Sequence, residues 1–452
     1  MHDGSEALKK LQHLAAMALD AAVKAGAEAA DVLVSGGESL EVSVREGALE
    51  HLEHSEGASL GLRVLIGKRQ AMVSVGDPEH ADLAEAAGRA VAMAKLAPED
   101  PRIGLPAPED VAQEWPDLDL ACARLPDVEA LKERALECEE AALAVKGVSK
   151  SMGASASASE MLVFLAATNG FAGGYARTNV GHSAAVIAGE GADMQRDYAY
   201  DSKVHDEDLK SPAEVGREAG ERTVKKLHPK KPRSLPSAPV IFEQRVAGTL
   251  AGHLAAAVNG ASVARGASFL KDMMGRRILP EGVQVVDDAR LARGLASKPF
   301  DGEGLPTDTL RIVHDGVLEA WILDLASARQ LGLKSNARAS RGLNAPPAPA
   351  ATNFHFANGA ATPEELIASV KQGLLVTELI GMGVNQVTGD YSRGASGFWI
   401  ENGEIAYPVS EITIASNLKD MFANITLAND LQFRERKNAP TTLVEGMTIA
   451  GR

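Results

Sequence analysis

Residues 381–411 read GMGVNQVTGDYSRGASGFWIENGEIAYPVSE. Glycine is interleaved here with aromatic and charged residues, a combination that is not typical of disordered segments or simple linkers. The apolar residues at 398–400 predict a strand, and Asn402-Gly403 predicts a two-residue turn that returns the chain through 405–407. The stretch therefore predicts a β-hairpin within a glycine-rich part of the backbone.

The same stretch resembles the C-terminal signature of a known protein family. The match consists of TGDYSRGA at 388–395 and GFWIENGEI at 397–405, and it continues in PVSEITIA at 408–415 and NLKDM at 417–421. On these motifs the chain is identified as a member of the PmbA/TldE family. The resemblance covers nearly the whole chain and is densest from 240 to 450.

The composition is that of a globular protein with an acidic surface. The 452 residues include 46 Lys and Arg against 61 Asp and Glu, which gives a net charge of −15. The length predicts two to three domains. The negative charge argues against a nucleic-acid partner, because phosphate binding needs concentrated positive charge. The basic run KKLHPKKPR at 225–233 is interpreted as a solvated linker, with a docking patch as the alternative.

Cysteine content and hydropathy further limit the class of protein that the sequence predicts. Cys122 and Cys138 are the only cysteines, and their spacing fits neither a disulfide scaffold nor a cysteine-based metal cage. The N-terminal sequence lacks the apolar core of a signal peptide, and no run approaches the roughly 18 apolar residues of a membrane-spanning helix. We therefore expect a soluble, cytoplasmic protein with no membrane partner.

Hydrophobic periodicity predicts an α+β protein with two domains. In the N-terminal α+β domain, residues 1–232, a helix followed by an antiparallel meander occurs twice, which predicts a duplication with repeats at 1–100 and 127–227. Residues 236–452 are predicted to form a C-terminal β-rich domain with a helix, 244–258, in the cleft.

The individual elements follow from the same periods. The predicted helices are 5–26, 79–97, 127–146, 211–227, 244–258 and 362–372, the last with Thr362 as its N-cap. From 31 to 75 the predicted strands are short and separated by glycine-containing turns: 31–35, 40–45, 49–54, 60–66 and 70–75. Within 148–202 long strands are predicted, among them 160–168, 171–178 and 182–189.

The family resemblance makes the helix at 244–258 decisive for the chemistry. In the sister branch, TldD, the corresponding helix carries a His-Glu-x-x-x-His motif whose histidines, with a later cysteine, hold a catalytic zinc while the Glu activates water. Here His253 matches the second histidine, but Gly248 and Thr249 stand at the first histidine and the Glu, and no cysteine follows Cys138. The resemblance therefore implies no catalytic residue and no metal site in this chain, and a zinc ion in a TldD-type partner.

His253 has a second interpretation. On a helix it shares a face with Val246, Thr249 and Leu250, which is a mostly apolar stripe. We expect a satisfied, partly buried histidine there, and a contact with peptide or partner is the alternative.

Three further constellations have both a chemical and a plain interpretation. The EHLEH segment at 50–54 has metal-like spacing, but in a strand His51 and His54 would point to opposite faces, so a polar strand face is expected. Asp301 and Glu303 in a glycine loop, like the Asp287-Asp288 pair, suit either a turn or a hard cation, and the turn is favoured. Ser392 invites comparison with a serine nucleophile, although no nucleophile-elbow pattern surrounds it.

The glycine-rich loops beside the predicted hairpin suit a different use. Their backbone N–H and C=O groups could pair with an extended peptide that adds as a strand. The candidate residues of such a peptide cleft are His253, Asn385, Thr388, Asp390, Ser392, Arg393 and Trp399.

The leading hypothesis is a ligand-less, TldE-like subunit of a heterodimeric TldD/TldE zinc metallopeptidase that hydrolyses unfolded or extended peptides. In that hypothesis this chain shapes the cleft and the TldD-type catalytic subunit supplies zinc. The resemblance links the family to maturation of a peptide antibiotic precursor and degradation of an antitoxin, and its older label as a modulator of DNA gyrase is interpreted as an indirect effect. The alternatives are a stand-alone homodimeric peptide-binding protein without catalysis, and an independent hydrolase that uses the Ser392 region.

Overall fold

A computed structural model describes residues 4–451. The outer limits of the two predicted domains, at residues 1–3 and at Arg452, lie outside the described residues. The structure is α+β, as the periodicity predicted. Among the described residues no helix is both long and apolar enough to cross a membrane.

The N-terminal region is built on one six-stranded antiparallel sheet in the order β3-β2-β1-β4-β5-β6. Its strands are β1 (Ala29–Arg45), β2 (Ala48–Ile66), β3 (Arg69–Gly76), β4 (Val148–Ala167), β5 (Ala172–Ala188) and β6 (Gln195–Lys203). Its helices are α1 (Gly4–Lys24), α2 (Leu83–Leu96), α3 (Val128–Leu143) and α4 (Pro212–Lys225), with short 3-10 turns at Gly191–Asp193 and Asp206–Asp208.

The sheet brings two copies of one arrangement together. Helix, three-stranded meander and helix follow one another twice along the chain, and β1 pairs with β4 at the junction of the two halves. One apolar cluster lies under α1 and α2, and a second lies under α3 and α4. The order of helix and meander thus occurs twice along the chain, and both occurrences contribute to a single sheet.

The predicted short strands were wrong in length. The segments 31–35 and 40–45 belong to the single strand β1, and 49–54 and 60–66 belong to β2. The reason lies in the glycines that were interpreted as turns. Gly37 lies within β1 at φ +145°, and a Cβ atom there would meet the carbonyl oxygen of Glu160 on β4 at 2.0 Å. This glycine permits close approach of two strands and does not turn the chain.

The C-terminal region consists of three sheets. Its strands are β7 (Leu235–Phe242), β8 (Val285–Asp288), β9 (Thr309–His314), β10 (Val317–Leu318), β11 (Ala339–Ser340), β12 (Ala348–Pro349), β13 (Asn353–Phe356), β14 (Gln372–Ile380), β15 (Asp390–Glu401), β16 (Glu404–Asn417), β17 (Ile425–Leu427), β18 (Lys437–Asn438) and β19 (Thr442–Ala450). Its helices are α5 (Gln244–Ala257), α6 (Gly260–Ala264), α7 (Leu325–Leu331), α8 (Pro363–Ser369) and α9 (Leu418–Ala423).

The largest of these sheets closes on itself. Its order is β16-β15-β14-β7-β19-β17, and β16 also pairs with β19, so that five strands form a ring. A five-stranded sheet, β10-β9-β8-β13-β18, lies nearby. Helix α5 contacts strands of both sheets and contributes seven buried residues to the C-terminal region. The helix in the cleft is thus held by packing on two sides.

Local signals placed several C-terminal elements correctly. The hairpin of β15 and β16 turns at Asn402 and Gly403, whose φ angles of 53° and 82° are those that an Asn-Gly turn permits. Thr362 caps α8 in a reciprocal capping box with Glu365. Helix α5 occupies nearly all of the predicted 244–258 segment.

Buried ion pairs connect the two regions. Asp31 on β1 binds both Arg63 on β2 and Arg341 of the C-terminal region, and all three side chains are almost fully buried. Lys226 is also buried, 2.9 Å from Asp197 and 2.8 Å from Glu378. The expectation of a solvated linker at 225–233 was therefore wrong for Lys226, which pairs with carboxylates from both regions.

Candidate functional site

A cleft of about 450 Å³ lies where α5 meets the N-terminal sheet. One wall is α5 from Gln244 to Gly252, and the facing walls come from β14, the start of β15 and the segment 434–438. Tyr198 and Tyr200 of β6 complete the cleft from the N-terminal region. Its volume lies within the range of ligand pockets, roughly 300–1,000 Å³.

The positions aligned with the zinc motif lie in the wall of this cleft. Gly248 has no side chain, and a Cβ atom there would lie 2.8 Å from the carbonyl oxygen of Lys437. The hydroxyl of Thr249 donates to the carbonyl of Val246 at 2.6 Å. No group of three or more His, Cys, Asp and Glu side chains that could hold a metal ion occurs in residues 4–451. The residues at this site do not fit a zinc ion.

His253 lies on α5 next to Gly252 but does not line the cleft. Its ring meets Tyr391 of β15 edge-on, with centroids 5.8 Å apart and planes at 82°. Burial, together with the positive charges of Arg393 and Lys437, lowers the pKa of His253 to about 4. The ring is partly buried, as expected, but its Nε2 has no hydrogen-bond partner among the described residues. His253 is thus a neutral ring packed on an aromatic neighbour.

Of the five predicted cleft residues at 385–393, one lines the cleft. Arg393 of β15 faces it. Asn385, Thr388 and Asp390 bind one another instead: the Asn385 side chain accepts from the N–H groups of Val387 and Thr388, and the Thr388 hydroxyl donates to Asp390 at 2.6 Å. Their observed contacts are those of a self-capped, exposed loop, and none of these three side chains lines the cleft.

Trp399 lies in the core of the C-terminal region. It is 1% exposed and belongs to the large apolar cluster around α5. Successive residues of β15 alternate between faces, and the face that carries Trp399 is the inner one. The interpretation of Trp399 as a cleft residue is corrected accordingly, because a buried indole cannot touch a peptide.

Alternation along β15 also separates Ser392 from His253. Tyr391 and Arg393 lie on the side of the strand that faces α5, and the side chain of Ser392 is exposed on the other side. A serine nucleophile needs a base within hydrogen-bond reach. The geometry therefore opposes the hypothesis of an independent hydrolase at Ser392.

The remaining constellations have structural explanations. Asp301 is buried and accepts from the backbone N–H groups of Glu303, Leu305 and Ala339, as in a tight turn. Burial first, and then the nearby charge of Asp301, raise the pKa of Glu303 well above its usual range. Asp287 is fully buried against Arg338.

The EHLEH segment at 50–54 forms an exposed, polar part of β2. Neither it nor the Asp301 loop forms a cation site among the described residues.

Several cleft residues had no sequence signal that singled them out. Thr377 comes from β14, and Tyr198 and Tyr200 come from β6. The others come from β18 and the loop before it: Lys437, Asn438 and Arg434. The Tyr-Ala-Tyr spacing at 198–200 is a sequence signal that could have found two of these cleft residues, because it puts both rings on one face of a strand.

Comparison with known proteins identifies a family that matches this chain. Three models of the PmbA/TldA metallopeptidase family match the chain: domain 1 over residues 30–94, the central domain over 123–227 and the C-terminal domain over 236–451. The chain is 39% identical to the metalloprotease PmbA of Escherichia coli over 426 residues, which are 94% of this chain and 92% of that protein. It is 36% identical to the PmbA homolog of Haemophilus influenzae over 98% of this chain and 96% of that protein.

Solved structures share the whole fold. A putative modulator of DNA gyrase from Bacteroides thetaiotaomicron matches with a TM-score of 0.89 at 26% identity, over 97% of this chain and 98% of that one. TldE from Thermococcus kodakarensis shares the fold with a TM-score of 0.85 at 20% identity, over 97% of this chain and 100% of that one. The signature motifs, the fold and these matches together show that the chain belongs to the PmbA/TldE family.

Proposed function

We propose that this chain is the ligand-less subunit of a heterodimeric TldD/TldE-type zinc metallopeptidase in the cytoplasm. A TldD-type partner supplies the zinc and the general base, and this chain shapes a cleft for unfolded or extended peptides. Hydrolysis belongs to the complex. Family membership gives the peptidase context for this proposal.

One observation carries the proposal: the positions of the zinc motif are in the cleft wall, but Gly248 and Thr249 offer no ligand there. A zinc peptidase needs three protein ligands and a carboxylate or equivalent base to take the proton of the bound water. His253 alone cannot meet this need, since its neighbours are an aromatic ring and two cations. The missing groups must then come from a second chain.

Reconstitution tests the proposal. The purified chain is mixed with a TldD-type protein from the same genome, and cleavage of an unstructured, quenched fluorescent peptide is followed with and without chelator. We expect no cleavage and less than about 0.1 zinc per chain for this protein alone, and chelator-sensitive cleavage for the mixture. A TldD-type partner whose motif Glu is changed to Gln is the matched control and should give an inactive complex.

Two outcomes would decide against the proposal. Cleavage by this chain alone in the presence of chelator would show that it carries its own catalytic groups. Stable peptide binding by this chain as a homodimer, with no effect of any TldD-type partner, would favour the stand-alone peptide-binding protein.

A further inference from the structure

The cleft beside α5 carries positive charge that the protein does not neutralise. Arg393, Arg434 and Lys437 line it. Arg434 donates two hydrogen bonds to the Gln432 side chain and acts electrostatically on Glu218, whereas Arg393 and Lys437 form no ion pair among the described residues. The chain as a whole has a net charge of −15, so a group of cations in one cleft differs from its overall acidic composition. Concentrated positive charge in a low-dielectric cleft attracts anions.

The other charged groups in the cleft wall are already paired. Arg245 lies 3.0 Å from Asp197, and Glu378 lies 2.8 Å from Lys226. Glu435 accepts a hydrogen bond from the Tyr200 hydroxyl at 2.7 Å. Glu378 and Glu435 thus have other partners, and Arg393 and Lys437 are the cleft cations that form no ion pair among the described residues.

Buried donors without partners lie in the same wall. Thr377 is 7% exposed, lines the cleft, and its hydroxyl has no hydrogen-bond partner among the described residues. The Nε–H of Arg393 is buried and unpartnered in the same way. A buried polar group without a partner costs free energy, which a ligand that accepts hydrogen bonds would recover.

We propose that this cleft binds the carboxylate of a peptide, with Arg393 and Lys437 as its cationic contacts and the Thr377 hydroxyl as a neutral donor. The guanidinium fork suits the two oxygens of a carboxylate. The inference rests on the proposed peptide-holding role of the cleft, but not on the zinc partner.

Two kinds of carboxylate meet this description: the C-terminus of a peptide and an Asp or Glu side chain. Equilibrium dialysis of this chain alone, read by mass spectrometry, distinguishes them with three pools of N-acetylated hexapeptides made of Ala, Val, Leu, Ser and Gly. The first pool has a free C-terminus, the second is C-terminally amidated, and the third is amidated with one internal Glu. We expect the free-acid pool, the internal-Glu pool or both to bind at least about tenfold more tightly than the neutral amidated pool, as one charge-assisted contact provides.

Substitutions assign the effect to the cleft. Arg393→Gln and, separately, the exposed Lys437→Gln should each remove most of the preference for a carboxylate, and Thr377→Val should reduce it less. Arg276→Gln, which changes an exposed arginine outside the cleft, is the matched control and should bind like the unchanged protein.

Equal binding of the neutral and carboxylate pools would overturn the inference. So would no binding of any pool, displacement by inorganic phosphate but not by free-acid peptide, or an Arg276→Gln loss equal to that of Arg393→Gln. The assay contains neither partner nor zinc. Failure here, with successful reconstitution of the peptidase, would refute the carboxylate site alone.

Discussion

A Cβ atom at Gly248 would lie 2.8 Å from the carbonyl oxygen of Lys437. Side-chain carbon atoms essentially never approach backbone that closely, so α5 and the segment that contains β18 fit together only because position 248 is glycine. Position 248 therefore lacks both a ligating side chain and the space for one. Substituting ligating residues at these positions therefore does not create the space that their side chains need.

We predict that Gly248→His combined with Thr249→Glu gives no peptidase activity in this chain, even with added zinc, because no cysteine follows Cys138 to complete the ligand set. The same double variant should lose about 1–3 kcal/mol of unfolding free energy through overpacking against Lys437. Urea unfolding and a fluorogenic peptide assay measure the two effects.

The control for this steric argument is one helical turn away. A Cβ atom at Gly252 would meet only the Cδ of Lys437 at 3.7 Å, which is ordinary contact. Gly252→Ala should therefore be neutral or stabilise α5 by about 0.5–1 kcal/mol, since glycine is unfavourable inside a helix. Chelator-sensitive cleavage by the Gly248/Thr249 double variant alone would show that this assignment of ligands is wrong.

The second prediction concerns acid stability. The folded pKa of His253 is about 4, below its ordinary value of 6.5, so the unfolded chain binds a proton more readily. The stability that the folded protein has with a neutral His253 is fully present above about pH 6.5. It is lost as the pH falls from 6.5 towards 4, because protonation favours the unfolded chain. His253→Leu should reduce this acid loss by about 1–3 kcal/mol, measured by urea unfolding between pH 7.5 and 4.5.

His182 provides an internal comparison. Burial also lowers its pKa, and neither ring nitrogen has a hydrogen-bond partner among the described residues. It lies on β5, outside the cleft. His182→Leu should therefore reduce the acid loss as well, additively with His253→Leu. An unchanged pH profile in both variants would contradict the link between burial and acid sensitivity.

A pair of facing glycines gives the third prediction. Gly37 and Gly57 are opposite each other in the β1–β2 pairing. A Cβ atom at Gly37 would meet the Glu160 carbonyl oxygen at 2.0 Å, whereas one at Gly57 would meet nothing within 4 Å. Gly37→Ala should cost about 2–4 kcal/mol of unfolding free energy, and Gly57→Ala should cost nothing or stabilise the strand slightly. Equal effects of both changes would refute the close approach of β4.

These glycines also show why the strand lengths could not be predicted. A glycine in a turn and a glycine at a close strand contact look the same in sequence, and only the position of Glu160, more than 100 residues later, distinguishes them. The Asn402-Gly403 hairpin and the capped helix α8 were predictable because their signals are local. Elements determined by neighbours in sequence were found, and those determined by neighbours in space were not.

The cleft residues likewise divide into those that the sequence could predict and those that only the fold brings together. The position of the zinc motif on α5 could be read from the chain, and so could the presence of Arg393 nearby. Lys437, Thr377 and Tyr198 come from three distant elements and join the cleft only through the fold. Trp399 was misplaced because the sequence does not show which face of β15 packs against the apolar cluster around α5.

The last prediction tests the junction of the two regions. Asp31 is the shared carboxylate of Arg63 and Arg341, which are both buried. Asp31→Asn would remove the only ion-pair partner of two buried guanidinium groups among the described residues, so we expect a loss of about 3–5 kcal/mol in urea unfolding. Asp20→Asn removes an exposed carboxylate that pairs with Lys24 and should change stability by less than about 1 kcal/mol. If the junction holds the regions together, limited proteolysis of Asp31→Asn should release separate N- and C-terminal fragments, and cleavage at the unchanged rate would contradict this role.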